Sequence, residues 1–227
     1  MIEFRLKIGK SMRCFACGPN NRFPAVKMSY RDRVARLRSR CVLKVRYPRA
    51  ARVFTQLTAQ ECLSLVKLAS KAPPGVLVEI GSYLGASTAF LSEGSRRRNE
   101  PASLYCVDTW MNDAMTEGSR DTYAEFLRNT ASYADVRVPV RGRSDIVGRD
   151  FNHPISLLFL DGDHSYRAVR LDLQVWLPKV VPGGIVILHD VGWAEGVQRV
   201  TDEFIRPIAV SEWRLPNMYW ARVGENR

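Results

Sequence analysis

Long apolar runs are absent from this sequence. Nowhere do its 227 residues reach the roughly 18 consecutive apolar positions that a membrane span requires. The opening Met1-Ile2-Glu3-Phe4-Arg5-Leu6-Lys7 lacks the apolar stretch of a secretory signal, so a cytoplasmic protein is expected. Cysteine is sparse and odd in number. Cys14, Cys17, Cys41, Cys62 and Cys106 exclude a disulfide scaffold and are expected to be reduced thiols. Cys14-x-x-Cys17 has metal-ligand spacing, but neither a second such pair nor a nearby histidine completes a zinc tetrahedron. Acidic residues are nearly missing from one region. Residues 1–50 hold only Glu3 and Asp32 against 14 Lys and Arg, net +12, whereas residues 51–227 come to −1. A near-neutral body therefore carries a basic arm, which excludes a positive field spread over the whole surface. With 46% hydrophobic and 25% charged residues, what remains is an ordinary globular chain with length for one sizeable core. The expected division is a basic extension over 1–50 and one domain over 51–227.

What is present in 1–28 is Gly, Pro, Asn and Arg without a period, which reads as coil. From Tyr30 to about Val45, the residues Val34, Leu37, Cys41 and Val45 recur at three- and four-residue steps among arginines, the pattern of a basic amphipathic helix. Its narrow stripe is expected to pack on the protein's own body with the arginines solvated. An acidic membrane surface or RNA are the alternative, less favoured partners. Thr58-x-x-Glu61 fits a capping box that opens a helix running to Pro73-Pro74. Beyond Gly75 the pattern changes to short runs rich in Val, Ile and Leu: Val76–Ile80, Leu104–Val107, Val136–Val140, Ile155–Leu160 and Gly184–Leu188. Their weak alternation suits parallel strands covered on both faces. Helical spacing over Ser87–Arg97, about Arg120–Ser132, Arg167–Leu177 and about Glu195–Phe204 separates or follows them. The sum is a doubly wound α/β sheet. Ser211–Leu215 and Met218–Val223, joined by Pro216-Asn217, close it as an antiparallel hairpin.

Ligands of such folds lie across the carboxyl ends of the strands. The first strand ends Glu79-Ile80-Gly81-Ser82-Tyr83-Leu84-Gly85-Ala86-Ser87-Thr88. Two glycines four apart permit a tight turn and close backbone approach by a ligand, with helix-start amides exposed nearby. Tyr83 stands where a dinucleotide fingerprint needs its second glycine, and no Gly-Lys-Ser/Thr makes a P-loop. A ligand without phosphate is favoured. Glu79, ending a buried strand, is expected to be ionised and paired by loop amides or a cationic ligand group. Asp108, 27 residues beyond Gly81 at the end of the second strand, suits a ribose diol.

Glu79-x-Gly81-x-x-x-Gly85, Asp108, the run Phe159-Leu160-Asp161-Gly162-Asp163-His164-Ser165-Tyr166, and Pro182-Gly183-Gly184 followed by His189-Asp190 together resemble the class I S-adenosylmethionine-dependent methyltransferases. Over about Leu57 to Arg222 the chain is most similar to the branch containing macrocin-type sugar O-methyltransferases and their cephalosporin-biosynthesis relatives. The resemblance implies a Rossmann-like, mostly parallel seven-stranded sheet with a reversed last strand. It also implies O-methylation of a hydroxyl on a small molecule or sugar. Gly81 and Gly85 would pass under the methionine part of S-adenosylmethionine, Asp108 would hold the ribose, Ser144 would border the adenine, and Glu79, Ser82, Tyr83, Ser87 and Asp161 would complete the cofactor site. Asp161 and Asp190 match positions that hold a divalent metal such as Mg²⁺ in metal-using members. Those members show two adjacent carboxyl or amide groups at the second position, whereas Asp190 is flanked by His189 and Val191. Relatives assemble through their N-terminal segments, which implies a homo-oligomer.

The residues themselves point the same way. Asp161, Asp163 and Asp190 at neighbouring strand ends repel one another unless a cation or proton is shared. Oxygen donors suit Mg²⁺, and an added imidazole would suit Mn²⁺ as well. Without a metal, His164 or His189 is the candidate general base. Tyr83, Trp110, Tyr166 and Trp193 follow strand ends and are candidate walls. Two other readings stay open: an RNA methyltransferase gripping phosphates with the arm, and a non-catalytic binding module. Against the first, the fourth strand ends in Asp-Gly-Asp-His rather than the Asp/Asn-Pro-Pro-Tyr/Phe of nucleobase N-methylases.

Overall fold

The computed structural model describes residues 30–112 and 118–224. Cys14 and Cys17 lie outside them. The chain runs α1 (Tyr30–Arg46), α2 (Ala59–Ser70), β1 (Val76–Ile80), α3 (Ala86–Ser95), β2 (Leu104–Asp108), α4 (Tyr123–Asn129), β3 (Arg137–Arg141), α5 (Ser144–Val147), β4 (Ile155–Leu160), α6 (Tyr166–Trp176), β5 (Val180–His189), α7 (Glu195–Val200), β6 (Ala209–Arg214) and β7 (Met218–Val223). The seven strands form one sheet in the order β3-β2-β1-β4-β5-β7-β6. β1 to β5 are parallel, and β7 pairs antiparallel with both β5 and β6.

Period-two alternation divides the core between the two faces of the sheet. Leu77, Leu104, Leu157, Phe159, Ile185 and Ile187 pack with Leu65, Val66 and Phe90 of α2 and α3. Val78, Val107, Leu158, Leu160, Val186 and Leu188 pack with Leu173, Trp176, Val197 and Val200 on the other side. Each such side chain contributes about 1.5–3 kcal/mol of burial, which is why the strands read as near-continuous apolar runs. α2 starts with the expected capping box: Thr58 N donates to Glu61 Oε2 at 2.7 Å, and Glu61 N donates to Thr58 Oγ1 at 3.3 Å. The helix begun at Glu195 continues as a π turn over Thr201–Ile205.

α1 corrects an expectation. Its body-facing residues are Leu43 and, just past the helix, Tyr47 and Ala50, all in the core. Val34, Leu37, Cys41 and Val45, expected to face the body, are exposed. The core is met instead by the face that continues past the helix into Tyr47 and Ala50.

The order β2-β1-β4 places the reversal of strand order between β1 and β4, where their carboxyl ends open a crevice.

Candidate functional site

β1 ends in a turn that only glycine permits. Gly81 has φ +87°, and a Cβ there would lie 2.2 Å from the Asp161 carbonyl oxygen. This approach joins the ends of β1 and β4 into one floor. Above it lies a cleft of about 350 Å³ lined by Gly81, Tyr83, Asp108, Ser144, Asp161 and Asp172, with Ile80, Val107 and Leu171 as apolar walls. Asp108 Oδ2 accepts from Tyr83 N at 2.8 Å and Oδ1 from Trp110 N at 2.6 Å. These bonds fix the carboxylate while using part of its roughly four acceptor positions. Ser144 Oγ donates to Asp172, whose carboxyl burial raises to a pKa of about 6.

Glu79, Ser82, Ser87 and Thr88 form the support beneath the turn. Glu79 is fully buried, outside the lining of the cleft, and accepts from the hydroxyls of Ser82 at 2.7 Å and of Thr88. Burial pushes its pKa up to about 7 against the opposing hydroxyls of Ser87, Thr88 and Ser82, and its Oε1 lacks a hydrogen-bond partner. The pairing expected from loop amides or a ligand comes from hydroxyls instead. Gly85 (φ +88°) caps α3 and faces Thr130 and Phe126 rather than the cleft.

A second cleft of about 110 Å³ shares Gly81, Tyr83, Asp161 and Gly162 with the first. Its other walls are the segment Phe54–Leu57, Ser82 and Leu84 of the turn after β1 with Ala86 and Ser87 at the start of α3, and the group His164, His189 and Asp190. His164 Nε2 lies 2.7 Å from Asp190 Oδ2. His189 is buried, its Nδ1 3.1 Å from Asp161 Oδ1 and 3.3 Å from Asp190 Oδ1, its Nε2 3.8 Å from Glu61 Oε2. Its Nδ1 is aligned for a hydrogen bond with neither carboxylate. Burial disfavours the imidazolium, but Asp161, Asp190 and Glu61 more than offset this and push its pKa up to about 12. Burial likewise opposes the Asp190 carboxylate, yet His164, His189 and Asn217 hold its pKa far below the ordinary range. Burial raises that of Asp161. The hydrogen bond to Asp190 raises that of His164. Donor atoms of Asp161, His164 and Asp190 lie within 4.8 Å of one another, a spacing that suits a divalent cation.

Among the described residues, four non-glycine residues have positive φ: Tyr83, Trp110, Asn112 and Asp190. All follow the ends of β1, β2 and β5, where backbone strain marks functional segments. Of the expected aromatic walls, Tyr83 lines both clefts. Trp193 stands against the His164 ring at 5.0 Å and donates to Asp190 Oδ1 at 2.7 Å. Trp110 is buried against Tyr123 and Phe126. Tyr166 bonds Glu203, away from both clefts.

The sequence profile of a family described as "Methyltransferase domain" matches residues 78–191, half of the chain, from within β1 to just past the end of β5. The chain belongs to this methyltransferase family. An uncharacterised protein, y4gI, of Sinorhizobium fredii is 24% identical to the methyltransferase over 119 residues, and the chain spans 13% of that relative's length. The solved O-methyltransferase NovP is 18% identical with a TM-score of 0.63, over 75% of this chain and 82% of its own. A TDP-rhamnose 3'-O-methyltransferase of calicheamicin biosynthesis is 16% identical with a TM-score of 0.57, over 88% and 97%. These two likenesses show the fold.

Three parts of the methyltransferase's site escaped sequence reasoning. Glu61 was legible as a helix cap, but its Oε2 also faces His189. Burial opposes its ionisation, while His189 and the Thr58 amide hold its pKa below the ordinary value. Asn217, legible as a hairpin turn, donates to Asp190 Oδ1 at 2.7 Å. Phe54–Leu57 gave no periodic signal at all.

Proposed function

We propose that this methyltransferase binds S-adenosylmethionine in the larger cleft and methylates a hydroxyl of a small molecule or sugar presented from the smaller one, with residues 51–227 as the catalytic unit. The observation that supports this most is that the two clefts meet at Gly81, Tyr83 and Asp161, one lined by the Asp108 carboxylate and the other by a histidine held by a carboxylate. The larger cleft fits the cofactor chemically: apolar walls suit an adenine, Asp108 suits a ribose diol, and the one arginine of its lining, Arg143, is paired with Asp145 Oδ1 at 3.0 Å. When bound there, S-adenosylmethionine supplies an electrophilic methyl group. In-line displacement rewards positioning above all, and the Gly81 turn with Tyr83 would hold the acceptor at the junction.

Within this reading the roles of the two histidines differ. Both histidines line the smaller cleft, but the side chain of His164 is 37% exposed against 7% for His189 and is oriented by Asp190, so His164 is the general base that takes the acceptor's proton. His189, enclosed by Glu61, Asp161 and Asp190, is a fixed cation that lets three acidic groups share one wall. With a divalent cation bound instead, Asp161, His164 and Asp190 would hold it, His164 as a ligand rather than the base, and the cation would supply Lewis acidity toward a hydroxyl. The TDP-rhamnose enzyme among the similar structures supports a sugar hydroxyl as the acceptor.

Calorimetric titration with S-adenosylmethionine tests the reading. Saturable binding is expected, and Asp108→Asn should weaken it by roughly tenfold to a hundredfold, the worth of hydrogen bonds to a charged group. An unchanged affinity in Asp108→Asn, or no binding by the parent chain, refutes the assignment of the cleft.

A further inference from the structure

α1 carries an exposed face that the methyltransferase fold does not use. Val34, Leu37 and Val45 are 45%, 61% and 80% exposed, and Cys41 is exposed as well. At 3.6 residues per turn these four side chains fall within about 80° of arc, opposite the Leu43 contact with the core. Arg40 and Lys44 flank the stripe on one side and Arg38 on the other, all exposed. We infer that α1 lies in the plane of an anionic membrane surface, its aliphatic stripe sunk between the headgroups and its flanking cations on the phosphates and carboxylates.

Charge complementarity selects this occupant. A second copy of the chain would bring the same cations against one another, and residues 1–29 carry six Lys and Arg against Glu3 alone. Either covering pairs like with like. Polynucleotide satisfies the cations but offers aliphatic side chains nothing. An anionic bilayer satisfies both, which is the binding mode of interfacial helices. The body would sit beside the lipid, because α1 runs through a short turn at Ala50–Arg52 to Phe54, which is 61% exposed and lines the smaller cleft.

The test is flotation of the full chain with vesicles at low salt. Vesicles of phosphatidylcholine and phosphatidylserine in equal parts should carry the protein, and phosphatidylcholine alone should not. Leu37→Gln/Val45→Gln keeps helix propensity and should weaken flotation by about tenfold or more. Arg38→Glu/Arg40→Glu should weaken it by roughly fivefold or more per residue. All four side chains are exposed, so circular dichroism should be unchanged. No flotation with the anionic vesicles, or full flotation in Leu37→Gln/Val45→Gln, overturns the inference. So does polyuridylate binding that is lost in the arginine variant and kept in the aliphatic one, which would assign the face to RNA.

Discussion

His164 and His189 show what a residue's surroundings add to its identity. Both were candidate bases on type and position, and burial separates them: His164 is partly exposed, whereas His189 is enclosed by Glu61, Asp161 and Asp190. His164→Ala removes a group that touches the smaller cleft and should lower methyl transfer by about 10² to 10⁴ while leaving cofactor affinity unchanged, measured by single-turnover kinetics beside calorimetry. His189→Leu instead leaves Glu61, Asp161 and Asp190 without their shared cation. It should destabilise the fold by about 3–5 kcal/mol in urea unfolding, the cost of breaking a buried ion pair by deleting one member. Equal stability in the two variants would show that His189 carries no structural charge. Gly81 and Asp108 were legible because their chemistry is local: a positive φ and a strand-end carboxylate can be read from a motif. Glu61 was half legible, since its cap role depends on three neighbouring residues and its pairing with His189 on a contact across 128 positions of sequence.

At the scale of elements, the apolar runs located β1 to β5 and the hairpin pattern located β6 and β7; boundaries shifted by one residue at β3, whose ends are Arg137 and Arg141, and β5 starts four residues earlier than expected, ahead of Pro182-Gly183-Gly184. α5, four residues long, is shorter than any period that could announce it. α1 was located but given the wrong face, because the face that meets the core continues past the helix into Tyr47 and Ala50, and helical periodicity within the segment does not reach them. α2 joins element to site, for its cap lies directly after Phe54–Leu57. Thr58→Ala should cost about 1 kcal/mol, read as a Tm about 2–4 °C lower. A Tm that does not move would mean that the cap is replaced by solvent.

For the whole molecule, buried carboxyls set the response to pH. Glu79 is raised from 4.5 to about 7 in the folded chain, so the folded state binds the proton more tightly than the unfolded one. Its contribution to stability is complete below pH 4.5 and declines as pH rises to about 7, by about 3 kcal/mol. Asp172 and His164, both raised, act with the same sign. Urea unfolding across this interval should show the decline, and Glu79→Gln should flatten it whatever it does to absolute stability. S-adenosylmethionine at a hundred times its Kd should add about 2.7 kcal/mol, seen as a Tm rise of roughly 5–10 °C for a chain of this size.

Sequence alone determined the alternation of strands and helices, the turn at Gly81, the acidic strand ends and the segregation of positive charge into the first fifty residues, because each is written in neighbours within a few positions. Tertiary structure decided which face of α1 meets the core, that hydroxyls rather than amides hold Glu79, and which histidine is buried among three carboxyl groups. Those outcomes depend on groups far apart in the chain brought to contact distance by the sheet, and no local pattern encodes that distance.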